Sequence, residues 1–340
     1  MHKGYATAEG TARYASRFPQ YQQNGFFRQA QSLTVSSLGL GTYLGAMDDA
    51  TDNSYAHAVM DAVESGINFI DTSLNYRNQH SEVAIGAALE ALFQTGKAQR
   101  DEVVVCTKAG YLIPDAVPKG VLQQTDVVGN MHCMAPAFLE DQLERSHRNL
   151  GLETLDVFHL HNPETQLRFV GMDEFHRRVE EAFAACERFV KDGRIRYYGT
   201  ATWDGYRQED QLSLAELEQI ARRVGGAGHH FRFIQLPFNL AMLEALSKGV
   251  SPYAQQLGIS VIASASLLQS RLTSGLPDQL AQVLEGPTTD AARAIQFARS
   301  APGIDVALVG MSKSEHVHAN LEAASYPPLD AERFRTLFGK

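Results

Sequence analysis

Asp71, Tyr76, Lys108 and His161 are the residues of this chain whose types and spacing could do chemistry together. Asp71 closes an apolar run in "NFIDTSLNY", and a carboxylate there is costly to bury unless a cation meets it. Lys108, at the end of "VVVCTKAG", supplies that cation. A tyrosine beside a buried ammonium has its phenolate favoured, so the pKa of Tyr76 is expected to fall from about 10 towards working pH. Such a phenol can act as a general acid. His161, at the end of "DVFHLH", can donate a hydrogen bond to the same substrate oxygen and orient it. Each residue alone also reads as a satisfied ion pair or a core histidine. Together, at consecutive strand ends, they read as a site.

That reading requires elements that bring the four to one rim. Short apolar runs suggest strands near Leu38–Gly41, Asn68–Asp71, Val103–Thr107, Leu155–Leu160, Ile195–Ala201, Arg232–Leu236, Ile259–Ala263 and Ile304–Val309. Helical patterns lie between them. One is the alanine-rich run opened by Ser81 and Glu82. A second runs from Leu139 to Leu150 and stops at Gly151, and a third carries Phe175, Val179, Phe183 and Val190 before Gly193. Alternating strands and helices call for a parallel sheet with right-handed crossovers, and eight such units fit a closed (β/α)₈ TIM barrel. No linker or charge block divides the chain, so one barrel domain is expected over 31–340. An aromatic, glutamine-rich arm over 1–30 precedes it, and either packs on the barrel or forms an oligomer contact. The loop from Ala109 to Pro136 follows the third strand and should border the site, because barrel sites are built from loops at the strand C-termini.

Composition excludes several classes. The chain has 340 residues, 44% of them hydrophobic and 20% charged, and no apolar run of membrane-spanning length. Its net charge of −9 argues against nucleic acid or an anionic membrane as the main partner. Cys106, Cys133 and Cys186 are odd in number and far apart, and the first thirty residues hold no secretory apolar core. A reduced, cytoplasmic protein is expected. His132 and Cys133 stand side by side without further ligands at metal spacing, so no metal site is expected.

The chain resembles the aldo-keto reductases from about Leu33 to Asn320. "LGLGTYLG" is similar to that family's first strand and "FIDTSLNY" to its aspartate-to-tyrosine block. "DGRIRYYGTATW", "IQLPFNL" and "ALVGMSKSEHVHANLEA" are similar to its fifth, sixth and closing blocks. The resemblance implies that Asp71, Tyr76, Lys108 and His161 form a catalytic tetrad. It implies reversible hydride transfer between NADP, or NAD, and an aldehyde, ketone or sugar carbon. It also implies that Gly41, Thr42 and Tyr43 lie along the cofactor and that Gln235 holds the nicotinamide amide. Asn320 would read adenine, with His316 nearby, and Ser312 and Lys313 would meet a 2′-phosphate. The pattern departs where Ala201-Thr202 replaces a serine-asparagine pair and Ser264 replaces an aromatic ring. There Ala265-Ser266-Leu267 follows in place of serine-proline-leucine. Thr202, Ser264 and Leu267 are therefore the expected cofactor contacts, and Tyr43, His132 and Trp203 the expected substrate contacts. Two rival classes share the same residues: a redox-neutral isomerase, epimerase or lyase that retains its nicotinamide, and a cofactor-sensing binding protein. A pure sensor would not need all four tetrad residues.

Overall fold

Strands and helices alternate along the chain because strand-length apolar runs are separated by amphipathic stretches, and the computed structural model, which describes residues 1–338, closes the strands on themselves. The eight parallel strands are β1 (Leu38–Gly41), β2 (Phe69–Asp71), β3 (Val104–Ala109) and β4 (Leu155–His161), then β5 (Ile195–Ala201), β6 (Phe231–Pro237), β7 (Ser260–Ser264) and β8 (Val306–Gly310). Each pairs with its neighbours in chain order, and β8 pairs with β1 through Leu308↔Gly39 and Val309↔Leu40. The expected strands agree with these to within two residues at each end. The helices that cross back outside the barrel include α1 (Asp49–Glu64), α2 (His80–Gln94), α3 (Pro136–Leu150), α4 (Met172–Lys191) and α5 (Leu214–Gly225).

Local signals fix the ends of these helices. Asp48 caps α1 by accepting from Thr51 N at 2.8 Å. Gly151 ends α3 in the left-handed conformation, φ 68°, which glycine adopts without a Cβ penalty. Gly39 is required for packing: a Cβ there would lie 2.7 Å from Leu308 Cδ2 inside the barrel.

The main core lies between strands and helices, and a second core fills the lower barrel with Phe69, Val104, Cys106, Val157, Phe233 and Ile262. The N-terminal arm closes that lower end. Its antiparallel hairpin, Phe27–Ala30 with Leu33–Ser36, runs across the expected boundary at 30/31 and buries Ala30, Leu33 and Val35 in the second core. Arg13 and Arg17 bond Glu102, Tyr14 Oη donates to Val63 O, and Ala6 N donates to Asp156 Oδ1. Of the two expected roles for the arm, packing on the barrel is the one these contacts describe. No helix among the described residues is long and apolar enough to cross a membrane.

Candidate active site

The register of β2, β3 and β4 decides which side chains meet at the upper rim. Asp71 is the last residue of β2, Lys108 lies one short of the end of β3, and His161 is the last residue of β4. Lys108 Nζ is fully enclosed and donates to Asp71 Oδ2 at 2.6 Å and to Thr72 O at 2.7 Å. It lies 3.4 Å from Tyr76 Oη and 4.8 Å from the centre of the Tyr76 ring. Gln235 Nε2, from β6 across the barrel, donates to Asp71 Oδ1 at 2.8 Å. Burial alone would lower the Lys108 ammonium, but the charge of Asp71 and the contacts to Asp71 and Tyr76 more than offset it and hold its pKa above the ordinary value.

Tyr76 opens a short 3₁₀ turn after β2, and the backbone beyond it is unusual. Arg77, Asn78 and Gln79 all have positive φ, at 50°, 52° and 76°. Left-handed non-glycine residues cost roughly 1–2 kcal/mol each, so the surroundings must hold them. Arg77 does much of this: its Nε donates to Ala46 O at 2.8 Å, its Nη2 pairs with Asp52, and it lies over the Tyr55 ring. The run turns the chain directly into α2 while Tyr76 stays against the rim.

The Tyr76 phenol corrects one expectation. Burial raises its pKa, Lys108 pulls it down, and burial prevails, so it lies above the ordinary 10.0. The ammonium is shared among Asp71, Thr72 and the phenol, and two of the three acceptors are closer than the phenol. Tyr76 is therefore a protonated phenol at neutral pH. His161 is kept neutral, with its pKa well below the ordinary value because of burial first and the Lys108 charge second. Its Nδ1 lies 3.1 Å from Ser73 Oγ, and its ring meets those of Tyr76 and Tyr111 edge-on at 5.8 and 5.1 Å.

These groups open into a cleft of about 480 Å³. From the ends of β1 to β5 it is lined by Gly41, Thr42, Tyr43, Leu44, Asn75, Tyr76, Tyr111, Asn162 and Trp203, and from the ends of β6 to β8 by Gln235, Ser264 to Leu267, Gln269, Ser270 and Gly310. Tyr43 and Trp203 flank its mouth with 56% and 41% of their surface exposed. Among the described residues, the only carboxylate in the lining is Asp71, and no lysine or arginine lines it.

His132, expected at the substrate, lies outside this lining. It is wholly buried, with Nε2 donating to His161 O at 2.7 Å and Nδ1 accepting from Gln166 Nε2 at 2.9 Å. Burial depresses its pKa to about 4, so it is a neutral prop behind the end of β4. From the long loop it is Tyr111 that reaches the cleft, with Asn162 Nδ2 donating to its Oη at 2.9 Å. Thr202 lines the cleft, but its hydroxyl is committed elsewhere, to Glu164 Oε1 at 2.8 Å and Gly205 N at 2.6 Å. Ser312, Lys313, His316 and Asn320 follow the C-terminal end of β8, outside the cleft lining. Lys313 precedes the helix Ser314–Asn320, Lys313 and His316 are exposed, and Asn320 is buried.

Sequence reasoning passed over Asn75, Tyr111 and Asn162. Their proximity to Tyr76 and to the third and fourth strand ends was the available signal.

The model of the aldo/keto reductase family matches residues 37–339. This chain belongs to that family. It is an oxidoreductase of the aldo-keto reductase type, built on the family's (β/α)₈ barrel. A D-threo-aldose 1-dehydrogenase from Pseudomonas sp is 26% identical over 325 residues, 87% of this chain and 91% of that one. The NADH-specific methylglyoxal reductase of Escherichia coli (strain K12) is 27% identical over 196 residues, and that match spans 55% of each chain. Among solved structures, an aldo-keto reductase from Klebsiella pneumoniae in complex with NADPH shares the fold with a TM-score of 0.66. It is 23% identical, and the match covers 91% of this chain and 92% of that one.

The cofactor half of the cleft fits a nicotinamide dinucleotide. Ser266 Oγ is buried without a protein partner among the described residues, in a lining otherwise made of neutral side chains and open backbone. A Cβ on Gly310 would meet nothing within 4 Å, so the end of β8 leaves room for a ligand.

Proposed function

We propose that this aldo-keto reductase interconverts a small, uncharged carbonyl compound (aldehyde, ketone or sugar) and its alcohol, using NADP or NAD, with Tyr76 as the general acid. One observation carries the reading: the Tyr76 phenol, which lines the cleft beside the His161 ring, lies 3.4 Å from the enclosed Lys108 ammonium behind it. A bound nicotinamide supplies or takes up the hydride. Ser264, Ser266, Leu267, Gln269 and Ser270 would line it along the end of β7, with Gly41, Thr42 and Tyr43 opposite. The amide oxygen of Gln235 is left for the nicotinamide amide, because its nitrogen is engaged by Asp71. Ser312, Lys313, His316 and Asn320 would serve the adenosine end.

In the reductive direction Tyr76 gives its proton to the carbonyl oxygen. Lys108 then stabilises the phenolate through a charge-assisted contact. Asp71 and Thr72 O hold the ammonium in place. Ser73 Oγ donates to Asn75 Oδ1 at 2.6 Å, and His161 orients the same carbonyl oxygen when its ring hydrogen is on Nε2. The cleft has aromatic walls, four carboxamides (Asn75, Asn162, Gln235 and Gln269) and, among the described residues, no lysine or arginine in its lining, which suits an uncharged substrate. Phosphorylated and carboxylated carbonyl compounds should react poorly.

Incubating the protein with NADPH and paired neutral and anionic aldehydes tests this. Oxidation of NADPH with the neutral member of each pair is expected, and no consumption with any carbonyl would overturn the reading.

The pH dependence has a definite sign. Because the folded Tyr76 pKa is raised, the acid form persists at alkaline pH. The kcat/KM for reduction should therefore hold up to about pH 10 and fall beyond it, whereas alcohol oxidation, which needs the phenolate, should rise with pH. A reduction rate that halves between about pH 6 and pH 8 would contradict the assignment. Lys313 is one exposed cation at the adenosine end, so NADP should bind tighter than NAD by a modest factor. Titration of both cofactors against wild type and Lys313→Ala reads this directly, with the difference shrinking in the variant.

A further inference from the structure

Glu164 is a buried carboxylate that the chemistry above does not use. It follows His161, Asn162 and Pro163 in the turn that leaves β4, and is 6% exposed. Its Oε1 accepts from Thr202 Oγ1 at 2.8 Å and from the backbone amides of Trp203, Asp204 and Gly205 at 3.0, 3.1 and 3.3 Å. Its Oε2 is buried with no partner among the described residues. Among the described residues no lysine, arginine or histidine forms an ion pair with it; its partners are one hydroxyl and three backbone amides.

An ionised carboxylate is costly to bury without compensation, and successive amides converging on one oxygen are an anion-binding arrangement. The converse also holds. Gly205 is buried, and a Cβ there would lie 2.4 Å from Leu212 Cδ1 and 2.6 Å from Thr202 Oγ1, so the turn has no slack. Without the carboxylate, the amides of Trp203 and Asp204 would lose their acceptor and Gly205 N would keep only Thr202 Oγ1. The turn carries Thr202 and Trp203 into the cleft, and the segment holding Glu164 carries His161 and Asn162 into it. One side chain thus ties the ends of β4 and β5 together at the mouth of the site.

We propose that Glu164 is a positioning residue whose carboxylate fixes the turn 202–205 so that Trp203 forms one wall of the reaction cleft. It takes no part in proton or hydride transfer. Its kinetic consequences rest on the oxidoreductase reading, but its effect on Trp203 does not. Trp203 is the only tryptophan of the chain, so its emission reports on the turn alone.

The experiment compares full-length wild type with Glu164→Gln, Glu164→Ala and, as a control, Glu82→Gln. Glu82 is a scaffold carboxylate that accepts from Thr107, Ser146 and Asn149. Glu164→Ala is expected to shift Trp203 emission to the red and make it more accessible to acrylamide, with Glu164→Gln intermediate and Glu82→Gln unchanged. With a turned-over carbonyl compound, KM should rise about tenfold while kcat changes less than about threefold. In a Trp203→Ala background, Glu164→Gln should add little further, because both changes remove the same wall. Should Glu164→Ala not fold, the Gln variant and the double-variant cycle carry the test. Unaltered Trp203 emission in the Glu164 variants would overturn the proposal. So would an equal shift in Glu82→Gln, additive effects in the cycle, or a loss confined to kcat. Absence of turnover with every carbonyl would refute the oxidoreductase reading alone, leaving the emission data to decide on Glu164.

Discussion

Tyr76→Phe is expected to abolish carbonyl turnover while leaving cofactor binding nearly intact. The substitution removes one hydroxyl and keeps the ring that packs edge-on against His161 and Tyr43. It should therefore not disturb the cleft walls or the strand ends. What is lost is the proton donor, and general acid catalysis of this kind contributes roughly 10²–10⁴-fold. The cofactor side of the cleft, from Ser264 to Ser270, does not depend on the phenol. Single-turnover reduction and cofactor titration on the same variant separate the two effects. Near-native kcat in Tyr76→Phe would remove the phenol from the chemistry and leave the cleft without an assigned acid.

Lys108→Met should cost both activity and stability. Lys108 Nζ is 0% exposed, and its loss strands Asp71, itself 3% exposed, with only Gln235 to donate to it. Breaking a buried pair by removing one partner costs about 3–5 kcal/mol. For a chain of this length that corresponds to a fall in Tm of roughly 4–7 °C. Turnover should fall at least as far as in Tyr76→Phe, because the phenolate formed on proton transfer loses its counter-charge. Pairing the change with Asp71→Asn separates the two losses. The double variant should regain much of the lost Tm, since no charge is left unpaired, and should regain none of the activity. A Lys108→Met protein that melts with wild type would show the pair to be solvated.

The barrel and its four central residues were legible in the sequence because both rest on short-range regularities. Strand-length apolar runs alternate with helix-length amphipathic ones, and a parallel sheet is the architecture that accepts that alternation. Once the strands were placed, Asp71, Lys108 and His161 fell at the C-terminal ends of three consecutive ones. Tyr76 lies five residues past the first of these, too near to be anywhere but the same rim.

What the sequence could not carry was the balance of opposing effects at one point in space. The expected fall in the Tyr76 pKa follows from a neighbouring charge, but burial of the phenol outweighs it, and burial is a property of the whole rim. The long loop was expected to border the site and bring His132 to the substrate, whereas the chain folds His132 inward to support the carbonyl of His161. Glu164 drew no reading from the sequence; its partners in the 202–205 turn lie 38 to 41 residues away, and nothing local announces them. The arm could have packed on the barrel or on a second copy, and its hairpin fills the lower barrel because Phe69, Val104 and Phe233 leave an apolar floor that it covers. Sequence periodicity determined which residues stand at the strand ends, because a strand's geometry is local. Only the closed barrel decided their protonation and their supports, because burial and long-range hydrogen bonds exist only once distant strands meet.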